Sequence, residues 1–158
     1  MSLKEKQKIL VICPTAWEKV EIAKPTLQDR YEFVVCGEEL ADSVGLWNAL
    51  RFDVHRYLSQ IATAHRVIGI AGVLGTGDYP GCMFSATLAE QLGLPCPSVR
   101  SVVLLSHKFH SREIQKRIVP DATPKFAIVD PHRVRTPTHL TFPFFVKPVK
   151  GTMSIRAQ

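Results

Sequence analysis

The chain lacks the features that most quickly assign a protein to a specialised class. Its four cysteines, Cys13, Cys36, Cys82 and Cys96, form no Cys-x-x-Cys pair, which argues against a zinc knuckle or a redox motif of that spacing. A disulfide framework is out of place in a chain of 158 residues with ample apolar content. Cys13 and Cys36 close apolar runs and are expected to pack as small hydrophobes. No segment approaches the roughly 20 apolar residues of a membrane span; the longest candidate, 67–75, is far shorter. The charged N-terminus is followed by no apolar region of signal-peptide form. These absences predict a cytoplasmic protein. Internal repeats, low-complexity tracts and blocks of like charge are also missing.

What is present is an ordinary globular composition, 46% hydrophobic and 22% charged. The length suits one domain, or a small domain and the start of another. Twenty Lys and Arg against fourteen Asp and Glu give a net charge of +6. That excess suits phosphates of a small ligand, a nucleic acid, or simply a solvated basic face. The cations thicken from Arg100 onward.

Lys8-Ile-Leu-Val-Ile-Cys13 is a continuous apolar run ended by Pro14, the pattern of a strand covered on both faces. Glu18 to Arg30 predicts a helix weakened at Pro25, and Tyr31 to Cys36 a second strand closed by Gly37. Asp53 to Ala64 predicts an amphipathic helix, with Leu50, Val54, Leu58 and Ile61 on one face. Arg66 to Ala71 reads as a third strand, and Phe84 to Leu92 as a helix stopped by Gly93. This alternation over residues 8–97 predicts an α/β fold: a parallel, doubly wound sheet with helices on both faces. The character changes after Pro95-Cys-Pro97. Residues 98–118 read as two helical pieces, 125–129 as a short strand, 130–139 as a loop, and 140–149 as an apolar stretch broken by Pro143 and Pro148. Another strand is expected near Ser154.

Three segments carry candidate chemistry. The first is Gly72-Val-Leu-Gly-Thr-Gly-Asp-Tyr-Pro-Gly81, a glycine-rich turn between strand and helix. It is not a dinucleotide fingerprint, since Pro80 stands where the third glycine belongs, and no Gly-Lys-Ser/Thr follows to make a Walker A loop. Gly75, Thr76, Gly77 and Asp78 are its ligand-facing candidates through backbone N–H groups. Equally, the segment is a tight turn with Asp78 capping the next helix. The second segment is Phe144-Phe-Val-Lys-Pro-Val-Lys-Gly-Thr-Met-Ser154. Burying the Lys147 ammonium in this run would call for an anionic partner. Lys150, Gly151, Thr152 and Ser154 supply the charge, backbone donors and hydroxyls that a polyphosphate needs. The plain reading is an edge strand with an outward lysine. The third segment is His107-Lys-Phe-His-Ser-Arg112, where Lys108 and Arg112 share a helical face. A solvated basic face is its plain reading. His107 and His110 have the spacing of a metal pair, but no acidic or cysteine ligand lies nearby in sequence.

Taken in order, these segments resemble the ATP-grasp superfamily, which includes biotin carboxylases and amino-acid ligases. The resemblance rests on Gly93-Leu-Pro-Cys-Pro-Ser98, Lys108 with Arg112, Ala122-Thr-Pro-Lys-Phe126, Phe142-Pro-Phe-Phe-Val-Lys-Pro148 and the turn from Lys150 to Ser154. It is strongest over 72–154 and only topological before that. It implies a pre-ATP-grasp α/β domain at 1–97 and the start of an ATP-grasp α+β subdomain at 98–158.

The resemblance also implies roles. Lys147 would contact the α- and β-phosphates of ATP, and Lys108 would be the second phosphate lysine. Lys150, Gly151, Thr152 and Ser154 would lie over the β- and γ-phosphates. Gly75 to Asp78 would face the substrate side. The activity implied is ligation of a carboxylate to an amine through an acyl-phosphate, with ATP and Mg2+ as cofactors. The family's magnesium ligands lie C-terminal to this region, so no catalytic or metal residue is assigned, and the chain alone is expected to be inactive. The implied partners are ATP and a small carboxylate, with no membrane and no nucleic acid; a homodimer remains open. The phosphate turn holds one glycine, Gly151, where the family has several. That departure keeps a second reading open, a non-catalytic relative that binds a nucleotide or a partner. A third reading, a basic nucleic-acid-binding domain, rests on the +6 charge alone; aromatics do not alternate with cations as a stacking platform requires.

Overall fold

The computed structural model describes residues 5–38, 40, 51–77, 80–133, 137 and 139–150. The chain forms two compact units, Met1–Val102 and Val103–Gln158.

The first unit is α/β. Its strands β1 (Gln7–Ile12), β2 (Tyr31–Cys36) and β3 (Ile70–Leu74) form a parallel sheet in the order β2-β1-β3. The middle position of β1 explains its continuous apolarity. Leu10, Val11 and Ile12 are at most 1% exposed, so side chains on both faces of this strand leave water.

The segment after β1 breaks where its proline suggested. Helix α1 (Ala16–Ile22) ends before Pro25, which opens the short helix α2 (Pro25–Gln28). Proline is suited to a first helical turn, where its missing N–H has no helical partner. Helix α3 (Val54–Arg66) starts at Asp53, whose carboxylate accepts the Arg56 N–H at 2.9 Å. Helix α4 (Gly81–Leu92) stops at Gly93, which adopts φ 71°, the left-handed cap that glycine takes at least cost. Leu58, Ile61 and Ala62 from α3 meet Phe84 and Leu88 from α4 over Leu10, Ile12 and Cys13. Burying a side chain of this size contributes about 1.5–3 kcal/mol, so this cluster anchors the sheet.

One strand differs from expectation. Arg66 to Ala71 does not form β3, which begins at Ile70. Helix α3 runs through Arg66, Ile68 N–H still donates to the His65 carbonyl at 3.3 Å, and Gly69 turns the chain at φ 69°. Val67 is 87% exposed. The apolar run is thus divided: its first half closes a helix and its second half builds the strand.

Helix α5 (Val99–Ser106) spans the boundary between the units. In the second unit, helix α6 (Lys108–Ile118) leads into a single 3-10 turn at Pro120–Ala122. The two-piece helix expected over 98–118 is present. The short strand expected at 125–129 is not, because the described part of this segment has no strand beside it to complete a ladder. The stretch 140–150 is likewise irregular. The strand expected near Ser154 lies outside the described residues.

Candidate functional site

The first unit holds one of the three segments singled out from the sequence, and the second unit holds the other two. In the first, the strand order sets the location. The chain passes from β1 to β2 on one side and returns to β3 on the other, so the strand order reverses between β1 and β3, which stay paired as far as Val11 and Leu74. In open parallel sheets ligands bind at such a point.

Three short segments meet there. Thr15 caps α1, and its side-chain oxygen accepts the Glu18 N–H at 3.5 Å while the Glu18 carboxylate accepts the Thr15 N–H. This reciprocal capping box satisfies two donors of the first helical turn. The second carboxylate oxygen of Glu18 accepts the Thr76 N–H at 3.3 Å. Glu18 is only 4% exposed, so one buried carboxylate ties the end of β1 to the glycine turn after β3. The helix was expected to begin at Glu18, so the capping box with Thr15 was not anticipated. Nor was the reach of Glu18 to Thr76, 58 positions away.

The glycine turn is shaped by packing. A Cβ on Gly75 would lie 2.5 Å from the Gly81 carbonyl oxygen and 3.1 Å from Ile12, so only glycine fits. Cys82 N–H donates to the Gly77 carbonyl at 2.9 Å. Of the candidate backbone donors, Thr76 N–H is therefore already engaged by Glu18. Asp78 lies outside the described residues; the cap position of α4 is Pro80, with no side-chain cap hydrogen bond. Beside the turn runs a groove of about 510 Å³ lined by Ile9, Trp17, Glu21, Phe33, Leu74 and Thr76 among others.

In the second unit the first turn of α6 is the meeting point. His107 caps it, with Nδ1 accepting the His110 N–H at 3.4 Å. Lys108 N–H donates to the Val149 carbonyl at 3.0 Å. The Lys147-Pro-Val-Lys150 segment therefore lies against the start of the helix that bears Lys108 and Arg112. Phe109 packs edge-on to Phe126 at 5.7 Å, and Lys116 stands 6.0 Å over the Phe126 ring. Three of the separated motifs thus converge on one helical turn. Arg112 is held by a 2.7 Å hydrogen bond to Gln115 Oε1.

Lys147 does not sit in an apolar core. It is exposed, and its neighbours Phe145 and Val146 are 68% and 51% exposed. The demand for an anion that burial would have made does not arise; what stands is proximity to Lys108. Gly151, Thr152 and Ser154 lie outside the described residues. The net charge is concentrated in this unit: residues 103–158 hold ten Lys and Arg against three Asp and Glu, whereas residues 1–102 hold ten against eleven. The ion pairs Lys19–Glu38 and Glu21–Lys24 are in the first unit. No helix among the described residues is long and apolar enough to cross a membrane.

Compared with protein-family models, curated proteins and solved structures, the chain matches none of them.

Proposed function

We propose that the chain carries the phosphate-binding side of an ATP-dependent carboxylate–amine ligase of the ATP-grasp type. The single observation that carries this is the Lys108 N–H to Val149 carbonyl hydrogen bond at 3.0 Å. It supports the reading because two segments far apart in sequence, each with a candidate phosphate lysine, meet at the start of one helix. Lysines carried to one helix start by two segments favour a polyphosphate.

In this reading Lys147 binds the α- and β-phosphates, Lys108 is the second phosphate lysine, and Lys150 with Gly151, Thr152 and Ser154 covers the β- and γ-phosphates. The net positive charge of residues 103–158 fits a ligand of high negative charge. ATP supplies the phosphoryl group that turns the carboxylate into an acyl-phosphate, from which an amine displaces phosphate. These lysines hold the phosphates and stabilise their charge, and positioning is most of what a protein contributes to such a transfer. No residue here is assigned to Mg2+. The first unit would be the doubly wound pre-ATP-grasp domain, its Gly75 to Asp78 turn on the substrate side, with Glu18 fixing the position of Thr76.

Equilibrium binding of a fluorescent ATP analogue tests the proposal. A charge-assisted hydrogen bond contributes about 1.5–3 kcal/mol, so Lys108→Ala and Lys147→Ala should each weaken binding by roughly 10- to 150-fold. Affinity unchanged in both variants removes the lysine cluster from nucleotide binding. Release of ADP and phosphate only when a carboxylate is present separates a ligase from a relative that merely binds.

A further inference from the structure

Cys13 and Cys36 stand at the carboxyl ends of the neighbouring strands β1 and β2. Ile12 is the register partner of Cys36, and Cys13 N–H donates to the Cys36 carbonyl at 2.9 Å. One step off register on neighbouring strands places two Cα atoms about 5.8 Å apart. That is within the commonest disulfide separation, about 5.5–6 Å.

Spacing alone would not suffice, because successive side chains of a strand point to opposite faces. Continued regularly, Cys13 would face away from Cys36. It does not continue regularly. Cys13 adopts φ 51°, alone among the described non-glycine residues in having positive φ. Left-handed backbone is unfavourable for a residue with a Cβ. The turn brings Cys13 into the same buried cluster as Ile12, Leu58 and Phe84, and Cys36 packs against that cluster. The direction of the thiol is fixed by a second observation. A Cβ built on Gly37, the residue after Cys36, would lie 2.9 Å from Cys13 Sγ. The Cys13 sulfur therefore points at the end of β2. Both residues are thiols.

We propose that Cys13 and Cys36 are a redox-active dithiol that closes to a disulfide with a small-molecule disulfide as oxidant. Cys36 is half-buried and Cys13 is 8% exposed, so Cys36 reacts first. The Cys36 thiolate attacks one sulfur of the small disulfide. The small S–S bond breaks, and one small thiolate leaves and takes up a proton. The Cys13 thiolate then attacks Cys36 Sγ and displaces the second small thiolate. The two cysteines lose two electrons and two protons, and the small disulfide becomes two thiols. The bond would pin the segment leading into Pro14 and Thr15, and through Glu18 it would act on the Thr76 turn.

The test uses the whole chain, folded, incubated with glutathione disulfide and then alkylated and mapped by mass spectrometry. The expected result is one intramolecular disulfide joining the peptides of Cys13 and Cys36, reversed by dithiothreitol. It should persist in the Cys82→Ser, Cys96→Ser double variant. Cys13→Ser should instead leave glutathione trapped on Cys36. Circular dichroism before and after shows that the reaction occurs in the folded chain. Alkylation of both Cys13 and Cys36 as thiols after oxidation, a disulfide from either to Cys82, or glutathione on Cys96 alone would overturn the proposal.

Discussion

Replacing Glu18 by glutamine probes the most connected contact in the first unit. The carboxylate accepts two backbone N–H groups, from Thr15 and Thr76. A glutamine amide has one acceptor oxygen, so one of those donors would face an NH2 group. A buried donor left without an acceptor costs about 1–3 kcal/mol. For a domain of this size that lowers the melting midpoint by roughly 4–24 °C. The midpoint is read from tryptophan fluorescence, with Trp17 beside the substituted position, and hydrogen exchange at the Thr76 amide locates the effect. Exchange at Thr76 should accelerate. Glu18→Ala should be worse, since it removes both acceptors and leaves a void. A loss below about 0.5 kcal/mol, the range of an uninvolved surface position, with Thr76 exchange unaltered, refutes the tie between β1 and the glycine turn.

Other substitutions separate packing from conformation. Gly75→Ala sets a methyl group against the Gly81 carbonyl and should destabilise by about 1–3 kcal/mol; Gly77→Ala meets nothing within 4 Å and should be near neutral in urea unfolding. Gly93→Ala forces alanine into φ 71° and should cost about 1–2 kcal/mol, seen as a lower urea midpoint. Leu88→Ala empties a fully buried position and should cost about 2–5 kcal/mol by the same measurement. Binding to labelled duplex DNA should be weak and vanish at moderate salt; salt-resistant binding would instead support a nucleic-acid role for the basic unit.

The sequence disclosed most where local chemistry decides structure. Tyr31–Cys36 is a strand with the expected bounds because Gly37 ends an apolar run that has no competing period. Gly93 ended its helix because left-handed caps select glycine. Where two elements share one apolar run, the signal was ambiguous, and β3 was expected four residues early; Gly69, whose positive φ turns the chain, was the better marker. Residues 125–129 have strand composition, but composition cannot supply a neighbouring strand. The site divided in the same way. Lys108 and Lys147 were identifiable as residue types in motifs, whereas the hydrogen bond that joins their segments depends on tertiary structure. Glu18 was expected only as the start of a helix, and neither its capping bond to Thr15 nor its link to Thr76 was anticipated. The turn at Cys13 left no mark in composition at all.

The proposed nucleotide-phosphate site joins the start of α6 to the Lys147 to Lys150 segment. The most direct measurement is an amide nitrogen–proton NMR titration of the chain with Mg·ATP, which reports weak binding residue by residue. With one shared site, the amides of Lys108, Phe109, Lys147 and Lys150 shift together along one saturation curve, and Lys147→Ala weakens that curve. Shifts confined to the first unit, or absent from α6 and the Lys147 to Lys150 segment at saturating nucleotide, would contradict a shared site.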